Sequence, residues 1–169
     1  MKKDPLVIYG SSREEGNTRH ALSLVLNEHP HEFIDLRSLD ISYFDYTHAN
    51  EGDDFLSVAE KMLSHEKIIL ATPVYWYTMS AMMKTFIDRW SDLITIRKEM
   101  GRALKGKWVY VVSSYGSEYP CGFEDPFRLT CQYLDMHYGG AYLHYSGNDT
   151  IRVEENTRQV SAFKHLLFD

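Results

Sequence analysis

Short, wholly apolar runs alternate along the chain with longer stretches whose apolar residues recur every three to four positions. Leu6-Val7-Ile8-Tyr9 is the first run, and a helix is predicted over 17–28 with Ala21, Leu22, Val25 and Leu26 on one face. Residues 31–36 read as a second strand. Residues 38–53 are polar, aromatic and glycine-bearing, the composition of a long functional loop. Phe55, Val58, Ala59, Met62 and Leu63 then form the core-facing stripe of a helix, and 67–72 is a third strand, apolar on both faces. A helix is predicted over 78–90 on Met79, Met82, Met83, Phe86, Ile87 and Trp90, followed by a fourth strand over 108–114. Phe127, Cys131, Leu134 and Tyr138 mark another helix, 141–146 a fifth strand, and Val160, Phe163 and Leu167 a last helix.

Five strands alternating with five helices predict one domain over 1–169, an α/β fold in which a five-stranded parallel sheet is the middle of a three-layer α/β/α sandwich. In such sheets ligands sit beyond the C-terminal strand ends, where strand order reverses. The loops after strands one, three and four are therefore the candidate site.

The 169 residues suffice for one substantial core, and no stretch is apolar enough for long enough to cross a bilayer. Met1-Lys2-Lys3-Asp4-Pro5 carries neither the apolar region of a secretory signal nor a transit-peptide pattern, which predicts a cytoplasmic protein. A net charge of −6 without a dense basic run argues against nucleic acid as partner. Two cysteines, Cys121 and Cys131, make neither a disulfide framework nor a cysteine-based metal site, and the His29/His31 pair has no nearby third ligand, so no metal is expected.

The loop after the first strand reads Gly10-Ser11-Ser12-Arg13-Glu14-Glu15-Gly16-Asn17-Thr18. Hydroxyls from Ser11, Ser12 and Thr18, the Asn17 amide and the loop N–H groups can donate to a phosphate at a helix N-terminus, and Arg13 can neutralise it. The spacing fits neither the Walker A loop nor the dinucleotide fingerprint. Composition alone leaves the alternative of an ordinary loop closed by Asn17 or Thr18 as a helix cap.

Gly-Ser-Ser-Arg-x-x-Gly-Asn-Thr after strand one, then Thr72-Pro73-Val74-Tyr75-Trp76 and Met79-Ser80-Ala81-x-x-Lys84-x-Phe86-Ile87-Asp88-Arg89, resembles the NAD(P)H-dependent FMN reductase and quinone oxidoreductase group of the flavodoxin-like superfamily. The resemblance extends over nearly the whole chain. It implies a flavodoxin-like fold, bound FMN, NAD(P)H as co-substrate, a small acceptor such as a quinone or flavin, and a homodimer.

By that resemblance Ser11, Arg13, Asn17 and Thr18 contact the FMN phosphate and ribityl chain. Pro73, Val74, Tyr75 and Trp76 lie along the ring, and Ser114, Tyr115 and Gly116 close the site, with Tyr115 over one ring face. That last match is looser, since many relatives carry two glycines where this chain has Tyr115-Gly116. No side chain is assigned as a catalytic acid or base, because the cofactor carries the hydride chemistry. Asp88 and Arg89 are read as solvated or at a subunit interface. Where iron-sulfur relatives carry a cysteine cluster, Tyr43, Phe44 and Tyr46 instead suggest a hydrophobic lip. The alternative function is a flavodoxin-type electron carrier, which binds FMN without oxidising a nicotinamide; the modest net charge and Arg13 favour the reductase.

Overall fold

The computed structural model describes residues 4–169. Its elements in chain order are β1 (Leu6–Tyr9), α1 (Asn17–Leu26), β2 (Glu32–Asp35), α2 (Phe55–Ser64), β3 (Lys67–Pro73), α3 (Ala81–Asp88), α4 (Trp90–Thr95), α5 (Lys98–Ala103), β4 (Trp108–Tyr115), α6 (Asp125–Tyr133), β5 (His137–Tyr145) and α7 (Thr150–Phe168). A single 3-10 turn, Leu36–Ser38, extends β2. All strand pairs are parallel, in the order β2-β1-β3-β4-β5. This is the expected flavodoxin-like three-layer arrangement.

Alternation along each strand divides the core in two. Leu6, Ile8, Ile68, Leu70, Val109 and Val111 face α2 to α6, with Phe55, Met83, Phe86 and Phe127. Val7, Tyr9, Ile69, Ala71, Tyr110 and Val112 face α1 and α7, with Leu22, Val25, Phe163 and Leu167. Because α1 leaves β1 on one face and α3 leaves β3 on the other, the loops of these neighbouring strands diverge and open a crevice between them.

Two expectations need correction. Leu134 and Tyr138 are not helical: α6 stops at Tyr133, where Asp135 takes φ 55° and Met136 N–H donates 2.9 Å back to Cys131 O, a left-handed helix stop. Tyr138 belongs to β5, which starts at His137 rather than 141. Gly139 and Gly140 concealed that start; a Cβ at Gly139 would fall 2.2 Å from the Tyr110 ring, so only glycine lets the edge strand approach there. The helix predicted over 78–90 is shorter at its start and continues differently. Ser80 caps α3, α4 follows, and α5 was not anticipated; Gly101 lets α5 cross α4, since its Cβ would meet Leu93 O at 2.2 Å.

Candidate functional site

The first loop leaves β1 as an extension of the sheet, with Gly10 N–H donating 2.8 Å to Ala71 O. Tyr9 Oη then donates to Arg13 O at 2.9 Å and folds the loop back. Ser11 is buried, whereas Ser12, Arg13 and Asn17 are exposed. Among the described residues the Arg13 guanidinium has no ion-pair partner. Gly16, in extended backbone, is the N-cap of α1; no side chain caps it and no carboxylate stands in its first turn. The alternative in which Asn17 or Thr18 caps the helix is not what the structure shows. An uncapped helix start beside an unpaired arginine leaves N–H donors and a positive charge at one loop.

Thr18 is committed elsewhere: its hydroxyl lies 2.8 Å from Ser114 Oγ in the interior, joining the start of α1 to the end of β4. Ser114 O in turn accepts 3.0 Å from Val74 N–H, and Ser113 Oγ donates 2.5 Å to Thr72 O. Pro73 is buried opposite Ser114 in the sheet register. The three loops thus share one hydrogen-bonded floor.

Past Val74 the chain makes a tight turn in which Tyr75 and Thr78 exchange N–H···O bonds of 2.8 and 3.1 Å. Its two central residues, Trp76 and Tyr77, have φ of 50° and 65°, the left-handed region that large side chains avoid. Trp76 stands 93% exposed. Tyr75 leans the other way, its Oη 3.0 Å from Ser12 Oγ, so the second loop touches the first across the crevice. Backbone held this way costs on the order of 1–3 kcal/mol per residue and concentrates at functional sites.

Tyr115 is half-buried against Tyr119 and Tyr145, at centroid distances of 5.8 and 5.4 Å, and burial raises its phenol pKa. Gly116 is exposed at the turn, and Arg152 Nη1 holds the loop by donating 2.8 Å to Ser117 O. The expected site residues therefore lie at the C-terminal ends of β1, β3 and β4 or, for Asn17 and Thr18, in the first turn of α1, with Ser12 alongside. The hydroxyls of Thr18 and Ser114 face each other, and Trp76 points outward.

Ser80 was missed. Its Oγ donates 2.6 Å to Gly10 O, accepts from Met83 N–H at 3.1 Å, and accepts from Thr72 Oγ1 at 3.2 Å. One buried hydroxyl thus caps α3 and ties the first loop to β3. The signal was available, since a serine directly before a helical apolar stripe is a start signal.

Arg89 is also placed differently from expectation. It is fully buried, paired with Asp53 and Asp92, and its guanidinium lies 4.8 Å from the Phe55 ring centre. Arg89 was read as solvated or at a subunit interface, but two carboxylates and backbone carbonyls satisfy its charge inside.

Comparison with known proteins bears on the family and the fold. Residues 5–162 match the family model of NADPH-dependent FMN reductases. The chain is 33% identical over 173 aligned positions to YwqN of Bacillus subtilis (strain 168), which is named as an NAD(P)H-dependent FMN-containing oxidoreductase; the match covers 95% of this chain and 94% of the relative. Its fold is similar to that of the Trp repressor binding protein from Bacillus subtilis, with a TM-score of 0.75, 27% identity and 97% of each chain covered. It is also similar to an FMN-dependent NADH-azoreductase from Bacillus anthracis solved in complex with FMN, with a TM-score of 0.69, 10% identity, and 98% and 100% of the two chains covered. The chain belongs to the NADPH-dependent FMN reductase family, flavodoxin-like proteins with FMN as cofactor and a reduced nicotinamide as electron donor.

Proposed function

We propose that this protein passes electrons from NAD(P)H through FMN, held at the ends of β1, β3 and β4, to a small acceptor such as a quinone or a free flavin. The observation that supports it is the convergence of an uncapped α1 start, an unpaired Arg13 and two aromatic-bearing loops on one crevice. In this reading Ser11, Arg13, Asn17 and Thr18 hold the phosphate end, Thr18 through its backbone because its hydroxyl is bonded to Ser114. Pro73, Val74, Tyr75 and Trp76 flank the ring on one side, Ser114, Tyr115 and Gly116 on the other.

When bound, FMN supplies the two-electron chemistry. The net reaction with a quinone consumes NAD(P)H, one solvent proton and the quinone, and yields NAD(P)⁺ and the hydroquinone. The chain's own part is to bind and orient. Arg13 would offset phosphate charge, the contact between Tyr75 and Ser12 would hold the first and second loops together around the cofactor, and the shared floor would keep the loops from parting. No residue of the crevice needs to act as acid or base.

The protein acts as a homodimer in this reading. Ile94, Leu129 and Tyr133 leave apolar surface exposed in a cleft of about 440 Å³ between α3, α4 and α6. Sedimentation at micromolar concentration tests that part directly.

Anaerobic titration of the FMN-loaded protein with NADH and NADPH, followed in the visible flavin band, tests the central reading. Rapid bleaching supports the reductase. Bound flavin that resists both nicotinamides identifies an electron carrier, and failure to bind FMN overturns the proposal.

A further inference from the structure

Tyr115 stands where the three loops meet. It directly follows Ser114, whose hydroxyl faces Thr18 and whose carbonyl accepts from Val74 N–H. Its ring packs against Tyr145 at the end of β5 and against Tyr119 further along the loop. Tyr115 O accepts from both the N–H and the hydroxyl of Ser146, at 2.8 and 3.0 Å, so the ends of β4 and β5 are tied together. Beyond that tie the loop leaves the sheet, and Gly116, Ser117, Glu118 and Tyr119 are all exposed.

One side chain holds the exposed segment. Among the described residues, the side-chain hydrogen bonds and ion pairs to 116–118 all come from Arg152 in the first turn of α7. Its Nη1 donates 2.8 Å to Ser117 O, and Nη2 lies 3.6 Å from Glu118 Oε2. Its Nε lies 3.6 Å from Asp149 Oδ2, the side chain that caps α7. The same guanidinium lies 5.3 Å from the centre of the Tyr145 ring. Tyr145 is itself fixed by α7: its N–H donates 2.9 Å to Asn156 Oδ1, Asn156 Nδ2 donates 2.8 Å back to Tyr145 O, and Asp149 N–H donates 3.3 Å to Tyr145 Oη.

Arg152 therefore grips the third loop from two sides, through the backbone at Ser117 and through the ring on which Tyr115 packs. Its charge also reaches the Tyr115 phenol, whose pKa burial raises and Arg152 pulls back. The two ion pairs are partly exposed and long, contacts that add little to stability. What the Arg152 contacts fix is the place of the loop.

We propose that Arg152 is the positioning residue for the ring end of the crevice, holding Ser117 and Tyr145 so that the Tyr115 phenol lies against the flavin. The inference rests on the reductase reading, in which Tyr115 flanks the ring, and adds the group on α7 that sets it there. Arg152 acts through Tyr115 and touches no cofactor itself. Lysine in its place keeps the charge but lacks the flat fork that stacks on one group while donating to another.

The test measures binding of riboflavin and of FMN to the purified protein, together with the emission decay of the bound flavin. A phenol against the ring shortens that decay, because it gives the excited flavin an electron that then returns. The decay is recorded in a Trp76→Phe background, where the indole cannot mask the phenol. Arg152→Ala and Tyr115→Ala are each expected to weaken binding of both flavins about fivefold, the size of one aromatic contact, and to lengthen the decay. Because riboflavin has no phosphate, an equal loss for the two ligands places the effect at the ring. The double variant should bind no more weakly than Tyr115→Ala alone, since Arg152 acts through that ring. Arg152→Lys should fall between wild type and Arg152→Ala, and it carries the test if the alanine variant does not fold. A loss confined to FMN overturns the inference, as do losses that add in the double variant and a loss of affinity with the decay unchanged. A wild-type protein that binds neither flavin overturns the reductase reading and this inference with it. Wild-type binding matched by equal binding in the Arg152 variants overturns this inference alone.

Discussion

Thr18 Oγ1 and Ser114 Oγ sit 2.8 Å apart in the interior although 96 positions separate them in the chain. The pair ties the first turn of α1 to the last residues of β4, joining the first and third loops of the crevice. Thr18→Val keeps the shape and strands the Ser114 hydroxyl, which should cost about 1–3 kcal/mol. Thr18→Val combined with Ser114→Ala removes both partners and should recover most of that loss. Urea unfolding of Thr18→Val, Ser114→Ala and the double variant measures it, and additive losses would show that the two hydroxyls do not depend on each other.

Arg13 is exposed and free of ion pairs among the described residues, which leaves its charge available to a phosphate. Arg13→Ala should weaken FMN binding by about 1.5–3 kcal/mol, the range of a charge-assisted hydrogen bond. Riboflavin, which lacks the phosphate, should bind wild type and variant alike. Fluorescence titration with both flavins makes the comparison; equal weakening for the two would move Arg13 away from the phosphate.

Trp76 carries strain without visible packing in return, being 93% exposed at φ 50°. Glycine takes that backbone freely, so Trp76→Gly should leave stability unchanged or raise it by up to about 1 kcal/mol. Turnover should fall at the same time if the indole serves the flavin or its second substrate. Thermal unfolding of the FMN-free protein and steady-state rates of the loaded one read the two effects. A clear loss of stability would mean that the indole packs in a way its exposure does not reveal.

The sheet was legible because strands buried on both faces are near-continuous apolar runs, as Leu6–Tyr9 and 68–71 are. The edge strand β5 was legible only in part. Gly139 and Gly140 carry no pattern, and they are there because Tyr110 occupies the space a side chain would need. The position of the crevice was legible because loops at the C-terminal ends of neighbouring parallel strands diverge where strand order reverses. The internal ties were not. Nothing local to Ser80 shows that its hydroxyl will meet Gly10 O, and nothing near Arg89 shows that Asp53, 36 positions away, will be its partner. An arginine reads as surface in a sequence because its exception needs long-range partners that only the fold supplies.

His144 provides the pH prediction. Its ring is buried on β5, with Nδ1 2.8 Å from Tyr142 Oη, and burial first and then neighbouring His20 lower its pKa. Above about pH 6.5 the imidazole is neutral in both the folded and the unfolded chain, and it adds no pH dependence. As pH falls below that value the unfolded chain takes up a proton that the native site resists, so stability declines, with a slope of at most about 1.4 kcal/mol per pH unit for one proton. The decline ends once pH passes below the folded-state pKa. His144→Gln should therefore flatten the stability curve as pH falls below about 6.5 while leaving stability near pH 8 comparatively unaffected. His20→Ala, which removes the second cause and leaves the burial, should flatten it only in part. Urea midpoints across that range decide it: a wild-type slope retained in His144→Gln would assign the acid sensitivity to the carboxylates instead.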